Sequence, residues 1–356
     1  MNETPVTLLI VDDSALYRQA IRNVLSDLLT VRIVGTAANG ADALSRIEEF
    51  DPDILTLDVQ MPDMDGIEVL REIGRRGLRS KAIMVSSLTS SGAQITTDAL
   101  IEGAFDFVLK PSGGDSDENR RQLHDALEEK ITAFIASRAM SSTSPGVQRV
   151  APVSRGEGRR AAELKPAKCR AVIIGISTGG PPALKQLLPA LPASLPVPVL
   201  VVQHMPPKYT KALAKRLNEA SSLEVAEASN GMEARAGRVL VAPGGMQMRL
   251  VRRSNRLSTD ILDDPPEHGC RPSVDYLLRS AINILDGEIL CVIMTGMGRD
   301  GLEGCRLLKE HGGRVFAQHP HGCAVYGMPK AIIDDGIADR ILPLGRIGPA
   351  LAAYFG

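Results

Sequence analysis

The chain has 356 residues, 44% apolar and 23% charged, with 41 Lys and Arg against 42 Asp and Glu for a formal net charge of -1. That length exceeds one ordinary core and fits two domains, while the balanced charge argues against a nucleic-acid or polybasic membrane surface. Trp is absent and aromatics make up 3%, so the cores are expected to be built from Val, Ile, Leu, Met and Ala, and the lack of aromatic interleaving weakens a stacking-based nucleic-acid reading.

No run approaches the ~18 apolar residues of a membrane span, which predicts no membrane insertion. Met1-Asn2-Glu3-Thr4-Pro5 has no basic-then-apolar signal pattern, so the protein is expected to be cytoplasmic. Five cysteines (169, 270, 291, 305 and 323) form no C-x-x-C pair, and reduced thiols are expected.

Val6–Val11 is the first buried-strand candidate; Ser14 can cap a helix running to about Leu28. Val31–Thr36, Ile54–Leu57, Ala82–Val85 and Phe105–Leu109 repeat the strand pattern, each followed by turn residues and a helical period. Five such units predict a doubly wound parallel sheet over residues 1–136. Residues 137–167, rich in Ser, Pro, Gly and Arg without an apolar period, read as a flexible linker rather than a structured loop.

Alternation resumes over 168–356, with strands expected at Ala171–Ile176, Val197–Gln203, Gly237–Ala242, Ile289–Thr295 and Arg314–Gln318. Helices are expected at Pro182–Leu188 and Lys208–Ala220, and Gln247–Asp263 reads as a hairpin inserted in an otherwise parallel sheet. The fold class is therefore α/β: a five-stranded doubly wound domain, then a larger, mostly parallel one with an inserted hairpin.

Asp12 and Asp13 end the first strand, Asp58 the third and Lys110 the fifth. In a parallel sheet these ends share one edge. Three carboxylates gathered there call for a hard divalent cation, and Mg²⁺ takes oxygen ligands. Asp58 can then attack phosphorus while the cation and Lys110 offset the phosphoryl charge. A single Asp at a strand end merely caps a helix; the set, with Ser86 after strand four, argues for more.

These residues resemble the response-regulator receiver domain, in Val11-Asp12-Asp13-Ser14, Asp58-Val-Gln-Met-Pro-Asp-Met-Asp-Gly66 and Val108-Leu-Lys110-Pro111. The resemblance implies Asp58 as phospho-acceptor, Asp12 and Asp13 as Mg²⁺ holders, Lys110 on the phosphoryl group, Ser86 ahead of Ser87 as switch hydroxyl and Phe107 as switch aromatic. It implies a histidine kinase as phosphoryl donor, and makes the Lys110–Pro111 bond a candidate cis peptide.

In the second half, Gly175-Ile-Ser177-Thr-Gly179 lies between a strand and a helix opening at Pro181-Pro182. Such a turn presents a hydroxyl beside backbone N–H groups. A phosphate-binding turn would look similar, but the G-x-G-x-x-G spacing and the acid ending the next strand are missing. That strand ends in Gln203-His204-Met205 instead.

Among six histidines His204 is the expected base, sharing the sheet edge with Ser177, whereas His124 is expected on a helix surface. His268-Gly-Cys270 and His319-Pro-His321-Gly-Cys323 lack a second zinc-spaced pair. Asp300 either caps the helix beginning at Leu302 or orients His204 as the third member of a triad.

Gly175-Ile-Ser-Thr-Gly-Gly180, Val202-Gln-His-Met205, Arg271-Pro-Ser-Val-Asp275 and Met294-Thr-Gly-Met-Gly-Arg-Asp-Gly301 together resemble the chemotaxis protein-glutamate methylesterases, the CheB family. The resemblance implies Ser177, His204 and Asp300 as catalytic residues, with the Met297 backbone in the oxyanion hole and no cofactor for the esterase. It implies methylated cytoplasmic helices of chemoreceptors as substrate, and deamidation of receptor glutamines. The alternative is a response regulator with a non-catalytic binding output, against which the absence of a basic recognition helix counts.

Overall fold

The computed structural model describes residues 5–113, 115–142 and 168–355. The chain divides near Ile135 into two compact units. The first alternates β1 (Val6–Val11), α1 (Ala15–Leu25), β2 (Val31–Ala37), α2 (Gly40–Phe50), β3 (Ile54–Asp58), α3 (Gly66–Arg76), β4 (Lys81–Ser86), α4 (Ser90–Ile101), β5 (Asp106–Leu109) and α5 (Ser116–Ser142). Its five strands pair in parallel in the order β2-β1-β3-β4-β5. The order reverses between β1 and β3, so the crevice for a ligand opens at their carboxyl ends, where Asp12 and Asp58 lie.

Local chemistry sets the boundaries. Ser14 Oγ accepts from Tyr17 N–H at the start of α1, and Asp65 and Glu68 form a reciprocal capping box on α3, each worth about 1 kcal/mol. α1 stops at Leu25 rather than Leu28, because the N–H of Leu28 turns back to the carbonyl of Leu25. α5 continues to Ser142, past the start of the expected linker; residues 143–167 lie outside the described ones.

The second unit runs β6 (Ala171–Ile176), α6 (Gly180–Leu187), β7 (Val199–Gln203), α7 (Tyr209–Ala220), β8 (Glu224–Glu227), β9 (Arg238–Val241), β10 (Gln247–Arg253), β11 (Arg256–Leu262), α8 (Val274–Leu285), β12 (Ile289–Ile293), α9 (Leu302–Glu310), β13 (Arg314–Gln318), α10 (Met328–Asp334), β14 (Arg340–Leu342) and α11 (Leu344–Phe355). Seven strands pair in parallel in the order β14-β13-β12-β6-β7-β9-β8. Every residue of β6, β7 and β12 is buried, as central parallel strands require.

Three sequence expectations are corrected. The hairpin β10–β11 forms a separate two-stranded antiparallel sheet, and Leu250 N–H on it donates to Ser280 Oγ on α8 at 3.0 Å. The edge strands β8 and β14 were not expected, since Glu224-Val-Ala-Glu227 and Arg340-Ile-Leu342 are short and partly polar. The one cis peptide among the described residues precedes Pro272, so the Lys110–Pro111 bond is trans.

Gly175 on β6 brings α8 onto the sheet. A Cβ there would stand 2.7 Å from Val274 and 3.0 Å from Ile293, so only glycine lets the first turn of α8 sit against β6 and β12. The N-terminus of α8 thereby reaches the sheet edge where Ser177 emerges.

Candidate active site

Two clusters stand at the two sheet edges. In the first unit, Lys110 Nζ lies 2.8 Å from both Asp58 Oδ2 and Asp12 Oδ2. The contact to Asp58 is a hydrogen bond, while that to Asp12 is an ion pair without hydrogen-bond alignment. The same ammonium sits 4.4 Å from the centre of the Tyr17 ring, which adds cation–π attraction.

Burial lifts the Asp58 carboxyl above its ordinary value. Lys110 opposes that rise and the neighbouring Asp12 reinforces it. Asp12, Asp13 and Asp58 each offer an oxygen within 4.8 Å of the others. This all-oxygen set, with two members buried and mutually repelling, fits a hard dication such as Mg²⁺. A cavity of about 120 Å³ beside Asp58 is lined by Gln60, Ser86, Ser87, Gly92 and Lys110. Ser86 is buried, with its Oγ accepting from Thr96 Oγ1 at 2.7 Å, and Phe107 is buried on β5.

In the second unit, β6 and β7 pair with Ile176 opposite Gln203, so Ser177 and His204 are neighbours one step beyond. Ser177 N–H donates to Thr295 O at 2.9 Å, and His204 N–H to Ile176 O at 3.1 Å. Gln203 Nε2 donates to the carbonyls of both Ser177 (3.0 Å) and His204 (3.3 Å). Gly296 closes the other side: a Cβ there would stand 2.7 Å from Ser177 Cβ. The loop carrying Met297 and Asp300 can therefore lie against the serine. The N–H of Met297 finds no acceptor among the described residues, whereas that of Gly296 is held by Val325 O at 3.0 Å.

His204 Nε2 is 2.8 Å from Asp300 Oδ2, with the His side chain 14% exposed and that of Asp300 2%. Asp300 does not cap its own following helix, whose cap is Gly301. Its carboxylate sits on the N-terminus of α8, where Oδ1 accepts from Ser273 Oγ (2.8 Å) and Asp275 N–H (3.2 Å) and Oδ2 from Val274 N–H (2.7 Å). Burial alone would raise Asp300; His204 and these backbone donors more than reverse it, and its carboxyl is held below the usual carboxylate range.

This is the place of Arg271-Pro-Ser-Val-Asp275 in the fold: it cradles the Asp300 carboxylate. Asp275 itself, buried and beside Asp300, is pushed up to about 6, burial being the larger cause. Two adjacent acids are thus separated in acidity, and Asp300 is the one kept ionised.

An ionised Asp300 accepts, so His204 Nε2 carries a proton, and Nδ1 is the nitrogen at which the ring gains or loses its second one. That nitrogen already has a neighbour, Cys270 Sγ, at 3.8 Å. Burial works against a charged His204 ring, but Asp300 and Cys270 outweigh it and push the ring up to about 9. No hydrogen bond joins Ser177 Oγ to His204 among the described residues, a looseness common before substrate binds.

The other histidine clusters stay apart. His268 Nε2 lies 3.8 Å from Asp275 Oδ2, His319 and His321 lean on each other with ring centres 5.2 Å apart, and His124 is partly exposed on α5 beside Asp125. All five cysteines are free. Cys270, Gln203 and Thr295 acquire their places only through the fold, although Gln203 adjoins His204 in sequence. Thr295 Oγ1 donates to Thr178 O at 2.9 Å and so pins the serine turn.

Among known proteins, residues 172–351 match the CheB methylesterase family and residues 8–128 the response regulator receiver domain. The chain is 40% identical over 349 residues to the protein-glutamate methylesterase/protein-glutamine glutaminase of Desulfotalea psychrophila, covering 96% of each. It is 42% identical over 362 residues to the protein of the same name from Symbiobacterium thermophilum, covering 99% of this chain and 98% of that one. The crystal structure of the Thermotoga maritima CheB methylesterase catalytic domain superposes with a TM-score of 0.51 at 40% identity, over 52% of this chain and 99% of that one.

Proposed function

The chain belongs to the CheB methylesterase family, with a receiver domain ahead of its esterase, and from that premise we propose that Ser177, His204 and Asp300 hydrolyse methyl esters on chemoreceptor glutamates. The activity is that of a protein-glutamate methylesterase/protein-glutamine glutaminase. The carrying observation is the Asp300–His204 hydrogen bond, formed next to Ser177 just past the paired ends of β6 and β7. A purely binding output is not favoured, since it would need no such buried carboxylate–imidazole pair.

His204 Nδ1 takes the Ser177 proton as Oγ attacks the ester carbonyl, and Met297 N–H stands ready for the oxyanion. The protonated ring, steadied by Asp300, returns its proton to the departing methoxide, and methanol leaves. Water, deprotonated by the same nitrogen, hydrolyses the acyl-serine to free glutamate. With a glutamine substrate the leaving group is ammonia and the product is the same.

In the first unit, Asp58 is the proposed phosphoryl acceptor from a histidine kinase. Asp12, Asp13 and Asp58 would hold a Mg²⁺ ion, which would supply the positive charge that keeps these carboxylates ionised together. Lys110 leaves its ion pair with the bare carboxylates to meet the phosphoryl oxygens, and Ser86 and Phe107 respond from β4 and β5. The receptor's cytoplasmic helices are the proposed substrate surface and the cytoplasm the proposed compartment; no helix among the described residues is long and apolar enough to cross a membrane.

Two outcomes test these assignments. The base must be neutral to act, so with His204 raised to about 9 the rate of methanol release should climb as pH rises and level off only above that value. Cys270→Ala removes one upward influence and should move the acid limb toward the ordinary histidine range, about 6.5. A wild-type profile already flat at neutral pH would instead place the ring near the ordinary histidine value. Chelation by EDTA should abolish labelling of Asp58 by a small phosphodonor yet leave basal ester hydrolysis unchanged. Loss of basal hydrolysis that returns with added zinc would instead make the esterase a metalloenzyme.

A further inference from the structure

We infer that Cys270 Sγ and His204 Nδ1 form an inhibitory binding site for a borderline-soft divalent cation such as zinc, at the proposed esterase centre. Only the effect on rate rests on His204 being the base; the binding itself does not. Cys270, His204 and Asp300 each offer a ligand atom within 4.8 Å of the others. The sulfur and Nδ1 are 3.8 Å apart. Zn–S and Zn–N bonds of ~2.3 and ~2.0 Å at a tetrahedral angle put those two atoms about 3.5 Å apart, so the pair needs little movement to share a metal.

The surroundings are those of a metal-ligating histidine. The ring's other nitrogen is held by a buried carboxylate at 2.8 Å, which fixes the tautomer with the Nδ1 lone pair free to coordinate and raises its basicity. Cys270 is equally fixed: its N–H and carbonyl pair with Glu267 at 2.7 and 3.0 Å, and its carbonyl also accepts from Gln247 Nε2 at 3.3 Å. Both residues keep some solvent exposure, with the His204 side chain 14% exposed, and solvent completes the shell.

Sulfur and imidazole select zinc over magnesium, whereas the Asp12, Asp13 and Asp58 oxygens do the reverse. The two units would thus answer to different cations, one needed for phosphorylation and the other silencing hydrolysis. On binding, Cys270 gives up its thiol proton and a protonated His204 ring its Nδ1 proton, both to solvent, and Sγ and Nδ1 each donate a pair to the metal. Nδ1 can then no longer accept the Ser177 proton, and the rate falls.

The test uses the full-length protein with cobalt(II) as spectroscopic probe and zinc chloride as inhibitor. Wild type should show a thiolate-to-cobalt charge-transfer band that zinc removes, and saturating zinc should lower methanol release roughly tenfold or more, reversibly by chelator. Cys270→Ser and His204→Gln should both lose the band, while Cys323→Ser keeps it. Cys270→Ser should need at least roughly tenfold more zinc for the same fractional loss of its own metal-free rate. Absence of the band in wild type, its persistence in Cys270→Ser, or unchanged zinc sensitivity of that variant overturns the inference. Ser177→Ala separates this from the serine mechanism: if that variant keeps the wild-type rate the serine reading fails, while the inference still requires its cobalt band.

Discussion

Ser177→Ala should lower methanol release from methylated receptor on the order of 10⁴-fold or more, with the fold unchanged. The hydroxyl is the only atom lost. The N–H of Ser177 still donates to Thr295 O, its carbonyl still accepts from Gly180 N–H and Gln203 Nε2, and the side chain is only half-buried. Thermal unfolding should therefore stay close to that of the parent. His204→Ala should cost a similar factor, and the double variant little more than either, because nucleophile and base act as one unit. Asp300→Asn should cost less than either. The amide keeps the shape and one acceptor oxygen for the cradle at the start of α8, but its NH2 faces donors and it no longer holds the imidazolium. Retention of the wild-type rate by His204→Ala, with loss in a His268 or His319 variant, would move the base elsewhere.

Asp58→Asn should abolish phosphoryl labelling altogether and leave the esterase at the same rate with and without a phosphodonor. The amide has nearly the shape of the carboxylate but neither its nucleophilic charge nor its ion pair with Lys110, 2.8 Å away. If phosphorylation of the parent shifts the receiver between two conformations, a ~tenfold activation needs only about 1.4 kcal/mol of difference between them. Label appearing on Asp12 or Asp13 in the Asp58→Asn protein would reassign the acceptor.

What could be read from sequence divides along the line between local and long-range placement. Asp12, Asp58 and Lys110 were legible because each ends an apolar run, and the ends of parallel strands meet at one edge. Ser177 and His204 were legible for the same reason, lying just past β6 and β7. The family resemblance added Met297 and the roles of Ser86 and Phe107, which spacing alone does not carry.

Asp300 was half legible: its partner His204 was expected, but the seat of its carboxylate on α8 depends on Gly175 admitting that helix to the sheet. Arg271-Pro-Ser-Val-Asp275 stood out as a motif, and its purpose emerges only from three hydrogen bonds reaching 25 to 27 residues along the chain. Cys270 beside His204 is 66 residues distant in sequence, beyond any periodicity. The missed strands β8 and β14 lie at sheet edges, where partial exposure erases the apolar run that marks a central strand.

The most direct test is methanol release from membranes carrying methylated chemoreceptors, measured for the full-length protein with and without a phosphodonor and repeated with Ser177→Ala and Asp58→Asn. Release should rise with the phosphodonor for the parent, stay at a basal rate indifferent to it for Asp58→Asn, and not exceed background for Ser177→Ala. Release by Ser177→Ala at the parent's rate, or no release by the parent from receptor while it cleaves small esters readily, would contradict the assignment.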